Sequence, residues 1–252
     1  MPSLSIVTLT HNEGKHIKEF IEAAKLCDPT EMIMIDDNST DNTVAIAESC
    51  GVKVYKRALN GDFGQQVRFG VGKATADYIF YLESDEFVTP ELALAIKKSV
   101  QAGKQEVYSI IRKNVAFGEK VLHGVLAPDV VSRVYPRDKA EWPGIIHLQL
   151  THKLPVVILP GHVWHHTYKT WEQYWRKFDI YTTVGAEQDY QRGKRASKIG
   201  AFMHALGGFL KMFILKKGFM DGYIGWVLCF NHFTYTLAKY NKLLLIQNDN
   251  NR

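Results

Sequence analysis

The chain opens on a β-branched apolar run, residues 4–9 (Leu-Ser-Ile-Val-Thr-Leu), followed by a polar turn at His11-Asn12-Glu13-Gly14. The apolar positions then change period. Ile17, Phe20, Ile21 and Ala24 fall on one face of a helix over 15–25. The same alternation repeats: a strand at 31–35, a helix at 43–50 capped by Thr40 or Asp41, a strand at 52–55, a helix at 63–74 and a strand at 78–82. This order predicts an α/β fold, Rossmann-like, with a mostly parallel sheet and right-handed crossovers. Beyond residue 165 the pattern turns helical. Trp171–Gly185 interleaves aromatic with basic residues, 199–215 is apolar apart from Lys211, and 222–238 carries no charge. The reading is therefore a front α/β domain at 1–165 and a helical, basic and aromatic region at 166–252.

Three predicted strands end in polar clusters, at Thr8–Glu13, Asp36–Asp41 and Glu83–Glu86. In a parallel sheet these ends share one edge, which is where open α/β sheets bind ligands. Glu83 and Asp85 repel each other unless a cation joins them, and Mg²⁺ or Mn²⁺ bridging to a diphosphate meets that need. Asp36 and Asp37 at a strand end suit hydrogen bonds to a uracil or ribose. The sequence has no Gly-x-Gly-x-x-Gly and no P-loop lysine motif, which excludes the usual dinucleotide and ATPase folds.

Composition adds a partner. The 252 residues are 46% hydrophobic and 12% aromatic, which excludes disorder. The net charge is +5, but from Thr151 onward 14 Lys and Arg stand against 6 Asp and Glu, a net of +8, leaving −3 for the front. A basic, aromatic back part points to a membrane surface or a nucleic acid. No nucleic-acid motif is present, so the membrane surface is the expected partner. Three scattered cysteines and an N-terminus that reads as a strand point to a reducing compartment. The expected location is cytoplasmic, peripheral at the inner face of the cytoplasmic membrane. His147, His162, His165 and His166 lack zinc-type spacing, and one of them adding a ligand to the divalent ion is the metal role open to them.

Residues 7–13 (Val-Thr-Leu-Thr-His-Asn-Glu), 35–43 (Ile-Asp-Asp-Asn-Ser-Thr-Asp-Asn-Thr) and 83–91 (Glu-Ser-Asp-Glu-Phe-Val-Thr-Pro-Glu) resemble the family 2 inverting glycosyltransferases, which have a GT-A fold. His123-Gly124, Pro128-Asp129, Ile146-His147, residues 165–168 and Lys217–Gly222 follow the order of the lipopolysaccharide inner-core β-1,4-glucosyltransferase branch. The resemblance implies a UDP-sugar donor, with Thr8, Thr10, Glu13, Gln66 and Ser84 lining its pocket and Asp36 or Asp37 holding the uridine. It also implies a lipopolysaccharide-core or other lipid-linked glycan as acceptor. Asp85 would bind the metal, assisted by Glu83. The chain departs from the family at Glu83-Ser84-Asp85, where Asp-Ala-Asp is usual, at Val67-Arg68, and at His147-Leu148, where His-Glu is common. Inverting transfer needs a base near the acceptor hydroxyl. Asp129 is the expected base, with Glu86 and Glu141 as alternatives, and Arg133 and Arg137 are expected near phosphate or acceptor charge. The competing readings are a capsular or teichoic-type acceptor, or a sugar-nucleotide-binding protein that has lost catalysis.

Overall fold

The computed structural model describes residues 1–143 and 150–249 and divides into two compact units. The first comprises Met1–Arg112 and Asp129–His165, and the second Lys113–Pro128 and His166–Arg252. In the first unit, β1 (Leu4–Thr10), β2 (Glu31–Asp36), β3 (Lys53–Lys56) and β4 (Tyr78–Tyr81) run parallel in the order β3-β2-β1-β4. The intervening helices are α1 (Ile17–Lys25), α2 (Thr43–Ser49) and α3 (Phe63–Lys73). These are the elements the periodicity predicts.

Past β4 the sheet turns antiparallel. It continues through β8 (Asp129–Pro136), β6 (Val107–Ala116), β11 (Val156–Tyr168) and β5 (Glu86–Val88), and β7 (Glu119–Val121) pairs with β6. α4 (Pro90–Gln101) follows β5, and β9 (Ala140–Glu141) pairs with β10 (Thr151–His152) as a separate ribbon.

β1 is buried on both faces, as a central strand should be. Leu4 and Ile6 pack with Ile17, Phe20 and Ile21, whereas Val7 packs with Ile33, Ile35, Val67 and Ile79. Each such side chain contributes about 1.5–3 kcal/mol relative to exposure. Gly70 lets α3 lie close to β1, since a Cβ there would stand 2.6 Å from Val7 Cγ1. Glu31 ties three segments together: its carboxylate accepts from Ser5 Oγ at 2.7 Å, Lys53 Nζ at 2.7 Å and Thr75 N at 2.7 Å. Burial alone would raise its pKa, but the Lys53 ammonium and the Thr75 and Ser5 hydrogen bonds bring it down to about 2. The residue preceding α2 is Asn42, without a side-chain cap. Asp41 does the capping from one position earlier, accepting from Thr43 N at 3.0 Å and Gly14 N at 2.9 Å.

The second unit contains α5 (Trp171–Gln191), α6 (Lys198–Leu210), a π turn at Lys211–Leu215, a 3₁₀ turn at Gly218–Asp221 and α7 (Gly222–Asp249). The hairpin of residues 113–128 groups with these helices. Asp221 accepts from Leu122 N at 3.2 Å, His123 N at 2.7 Å and the His123 ring at 2.7 Å. Ala116 and Val121 of the hairpin share a core with Tyr174, Ile224 and Leu228. A Cβ on Gly225 would lie 2.1 Å from the Gly218 carbonyl oxygen, and one on Gly218 2.4 Å from Cys229 Sγ. The Gly-Phe-Met-Asp-Gly segment at 218–222 is thus a packing and capping device.

Candidate active site

β4 delivers the acidic cluster. Leu82 N donates to the Val7 carbonyl at 3.0 Å, which carries the chain to the carboxyl end of β1 before it turns at Glu83–Asp85. Ser84 sits half-buried in that turn. Glu83 N donates to Glu86 Oε2 at 3.1 Å, closing the turn onto the start of β5. β5 pairs antiparallel with β11, which places His165 opposite Glu86. One ligand atom each from Glu83, Asp85 and His165 lies within 4.8 Å of the others. His165 Nε2 stands 3.5 Å from Asp85 Oδ2. Burial would lower the imidazole pKa, but the Asp85 carboxylate outweighs it and holds it above its usual value.

Beneath this trio lies a buried charge network. Arg133 reaches Glu83 Oε1 at 2.5 Å and Glu86 Oε1 at 3.2 Å, with its guanidinium 4.8 Å over the Tyr81 ring. Arg112 reaches Glu86 Oε1 at 3.4 Å and forks Asp129 through Nε at 3.0 Å and NH2 at 2.7 Å. Burial pushes the Glu86 carboxyl up, with Arg133 pulling the other way. Desolvation opposes the charge on Arg133, yet Glu86 and Glu83 raise its pKa. Four carboxylates, Glu83, Asp85, Glu86 and Asp129, thus face two guanidiniums, Arg112 and Arg133, and the His165 imidazole. A divalent cation could join Glu83, Asp85 and His165. Two carboxylates on one turn and an imidazole from β11 could hold Mn²⁺ or Mg²⁺ with positions left for phosphate oxygens.

The nucleotide-pocket residues of the sequence reading cluster at the ends of β1 and β2. Thr8 and Thr10 are buried in β1, and Thr10 pairs with Asp36 across to β2. The Asp36 carboxylate is fully buried and taken up by Ser39, accepting from its backbone N at 2.9 Å and from its hydroxyl. Asp37 is the more accessible of the pair, with Oδ1 accepting from Leu59 N at 2.8 Å. Glu13 N donates to Thr43 Oγ1 at 2.8 Å, fixing the loop after β1. Gln66 is buried in α3, donating to the Arg57 carbonyl at 2.6 Å and accepting from the Arg57 guanidinium, so it braces the 57–62 loop. Val67 is core, and Arg68 donates to the Trp142 carbonyl.

Other expectations change. Asp129, the expected base, is paired with Arg112, an arginine the pattern does not single out. Glu86, the first alternative base, has no exposed surface and is engaged by Arg133, Arg112 and the Glu83 amide. Arg137 lies at the amino end of β4, where it donates to the Ala74 carbonyl at 3.0 Å, away from the carboxyl edge. Glu141 is exposed in β9. His147 and Leu148 lie outside the described residues. His165 could be found in sequence only as one of several histidines, because the β5–β11 pairing that selects it joins residues far apart in the chain.

Residues 5–152 match the family described as Glycosyl transferase family 2. An uncharacterized glycosyltransferase of Rickettsia prowazekii (strain Madrid E) is 25% identical over 241 residues, 90% of this chain and 82% of that one. One from Rickettsia bellii (strain RML369-C) is 27% identical over 239 residues, 89% and 80% of the respective chains. Among solved structures, S. aureus TarS aligns with a TM-score of 0.49 at 15% identity, covering 93% of this chain and 49% of that one. Glucosyl-3-phosphoglycerate synthase from Mycobacterium tuberculosis, in complex with Mn²⁺, UDP and glucosyl-3-phosphoglycerate, aligns at 0.48 and 17%, covering 78% and 82%. With its family match spanning more than half of the chain, and an α/β sheet of the GT-A type bearing C-terminal helices, the chain belongs to the family 2 glycosyltransferases.

Proposed function

We propose that this glycosyltransferase moves a hexose, glucose by its resemblance, from a UDP-sugar to a lipopolysaccharide-core or other lipid-linked glycan at the cytoplasmic membrane surface, with Mg²⁺ or Mn²⁺. The observation that carries the reading is the convergence of Glu83, Asp85 and His165 at the carboxyl edge of the sheet, beside a network in which carboxylates outnumber guanidiniums. Asp85 and His165 would hold the ion. Glu83, already engaged by Arg133, would assist. Bound there, the ion would offset the charge that develops on the leaving diphosphate.

The protein's own groups do the rest. Asp37 holds the uridine in preference to Asp36, whose carboxylate is spent on Ser39. Thr8, Thr10, Glu13 and Ser84 shape the pocket, and Gln66 acts through the Arg57 loop. Asp129 takes the proton of the acceptor hydroxyl as the anomeric bond forms on the face opposite the departing UDP. Arg112 holds that carboxylate in one orientation with both arms, leaving further lone pairs for the hydroxyl. The same fork favours a second reading, sugar-nucleotide binding without transfer, in which the Arg112–Asp129 pair is purely structural.

A thermal-shift screen of UDP-sugars with and without Mn²⁺ tests donor and ion together, because a ligand that binds only the folded state raises stability by mass action. A metal-dependent shift with one UDP-hexose is expected. UDP release on adding a core-oligosaccharide acceptor separates the transferase from the binding protein. Absence of any UDP-dependent shift overturns the reading.

A further inference from the structure

The second unit carries an apolar face with a positive border and no accessible acid. On α6, Ile199, Phe202, Met203 and Leu210 are exposed, while Ala201 and Ala205 on the opposite side are buried. The turns that follow expose Ile214, Leu215, Phe219 and Met220, with Leu215 at 77%. α7 adds Tyr223, Trp226 and Phe230 at i, i+3 and i+7, against Ile224, Gly225 and Leu228 on its buried side. Phe213 anchors these elements, with ring centroids 4.2 Å from Trp226, 5.3 Å from Phe209 and 5.8 Å from Phe219. The face is therefore a fixed platform.

The charges point one way. Between Gln191 and Asn248 the sequence has nine Lys or Arg and one acid, Asp221. Asp221 is turned inward onto the amides of Leu122 and His123. Lys198, Lys211, Lys216 and Lys217 are exposed around the apolar residues. The stretch Lys198–Leu215 has a mean hydropathy of 1.3 over 18 residues and is only 11% buried, so it is no core helix. By length and composition alone it also meets the lower limit for a bilayer crossing, but Lys211 interrupts it and its last five residues form a π turn rather than a continuous α-helix. A second copy of the chain would bring two like-charged borders together at a cost. An anionic lipid surface meets both the apolar residues and the lysines.

We propose that this face docks in the headgroup layer of an anionic bilayer, its apolar side chains at the acyl boundary and its lysines on lipid phosphates. The assignment deepens the membrane-surface reading above, and its test does not pass through sugar transfer.

The 252-residue chain is floated with phosphatidylglycerol vesicles and, separately, with phosphatidylcholine vesicles. Flotation with the anionic vesicles, lost as salt rises, is expected. Brominated phosphatidylglycerol should quench fluorescence in the wild type and much less in Trp226→Phe. Leu215→Glu with Met220→Glu, both at exposed positions, should lower the partition coefficient about tenfold or more while melting temperature is kept. Replacing Lys211, Lys216 and Lys217 with Glu should abolish binding at low salt. Absence of vesicle binding, or variants that float as well as the wild type, would overturn the proposal. So would a concentration-dependent dimer that Leu215→Glu dissolves, which would give the face to a second copy. Transfer to a soluble acceptor fragment should persist in the variants, so a failure here leaves the transferase reading standing.

Discussion

The residues at the end of β4 divide the work by their partners. Asp85 faces His165, Glu83 is shared with Arg133, and Glu86 is sealed below. Asp85→Ala should therefore abolish transfer and the Mn²⁺-dependent thermal shift while circular dichroism stays native. Full transfer in EDTA would reject the metal role. Asp129→Asn keeps the shape offered to Arg112 and removes the basic oxygen, so turnover should fall by roughly 10² or more with UDP affinity unchanged, read by steady-state kinetics and calorimetry. Away from the site, Glu31 controls acid stability. Its pKa falls from 4.5 to about 2 on folding, so its contribution is complete above 4.5 and lost as pH drops through about 2. That shift is worth about 3 kcal/mol. Glu31→Gln should lower stability near neutrality and flatten its loss across that window, as urea titrations at several pH values will show. The acidic side chains were legible because they abut a wholly apolar strand. Arg112 was not, and Arg133 was expected only near phosphate or acceptor charge, because a pattern marks a position as polar without saying that it points inward beneath a carboxylate. Glu83 and Arg133 are also matched in length, and Arg133 Nε has no partner among the described residues. Asp at 83 would withdraw the carboxylate from the buried guanidinium.

Among the elements, the parallel half of the sheet followed from period and order, since each βα unit announces itself locally. The antiparallel half did not. β5 is three residues long and β11 thirteen, and what defines both is their pairing with distant partners. The helices of the second unit were visible, but not the glycine contacts that seat them. Gly225→Ala drives a Cβ to 2.1 Å from a backbone oxygen, whereas Gly207→Ala meets nothing within 4 Å. The first should cost about 1–3 kcal/mol or more by overpacking. The second should gain about 0.5–1 kcal/mol by helix propensity. Opposite changes in melting temperature are the expected result. Equal changes would mean that the close approach at 225 is relieved at no cost.

At the scale of the whole molecule, the proposed donor chemistry and the proposed surface attachment fall in different compact units. Hydrogen exchange should separate them. UDP with Mn²⁺ should protect residues 31–41 and 83–88 and leave 198–226 unchanged, while anionic vesicles should do the reverse. Protection of both regions by either ligand would contradict this division. The charge asymmetry between the halves was readable from the sequence. The path of the chain was not, because no feature of 113–128 tells which core its apolar residues will join. That path affects how the protein is made. The chain leaves the first unit after Arg112 and returns at Asp129, so the hairpin emerges from the ribosome before the helices that complete its core. Domains generally fold as units, N-terminal ones first, during synthesis. Here Ala116 and Val121 must wait uncovered until residues as late as Leu228 have been translated. A nascent chain stalled near residue 165 would present that hairpin bare, a ready target for chaperones.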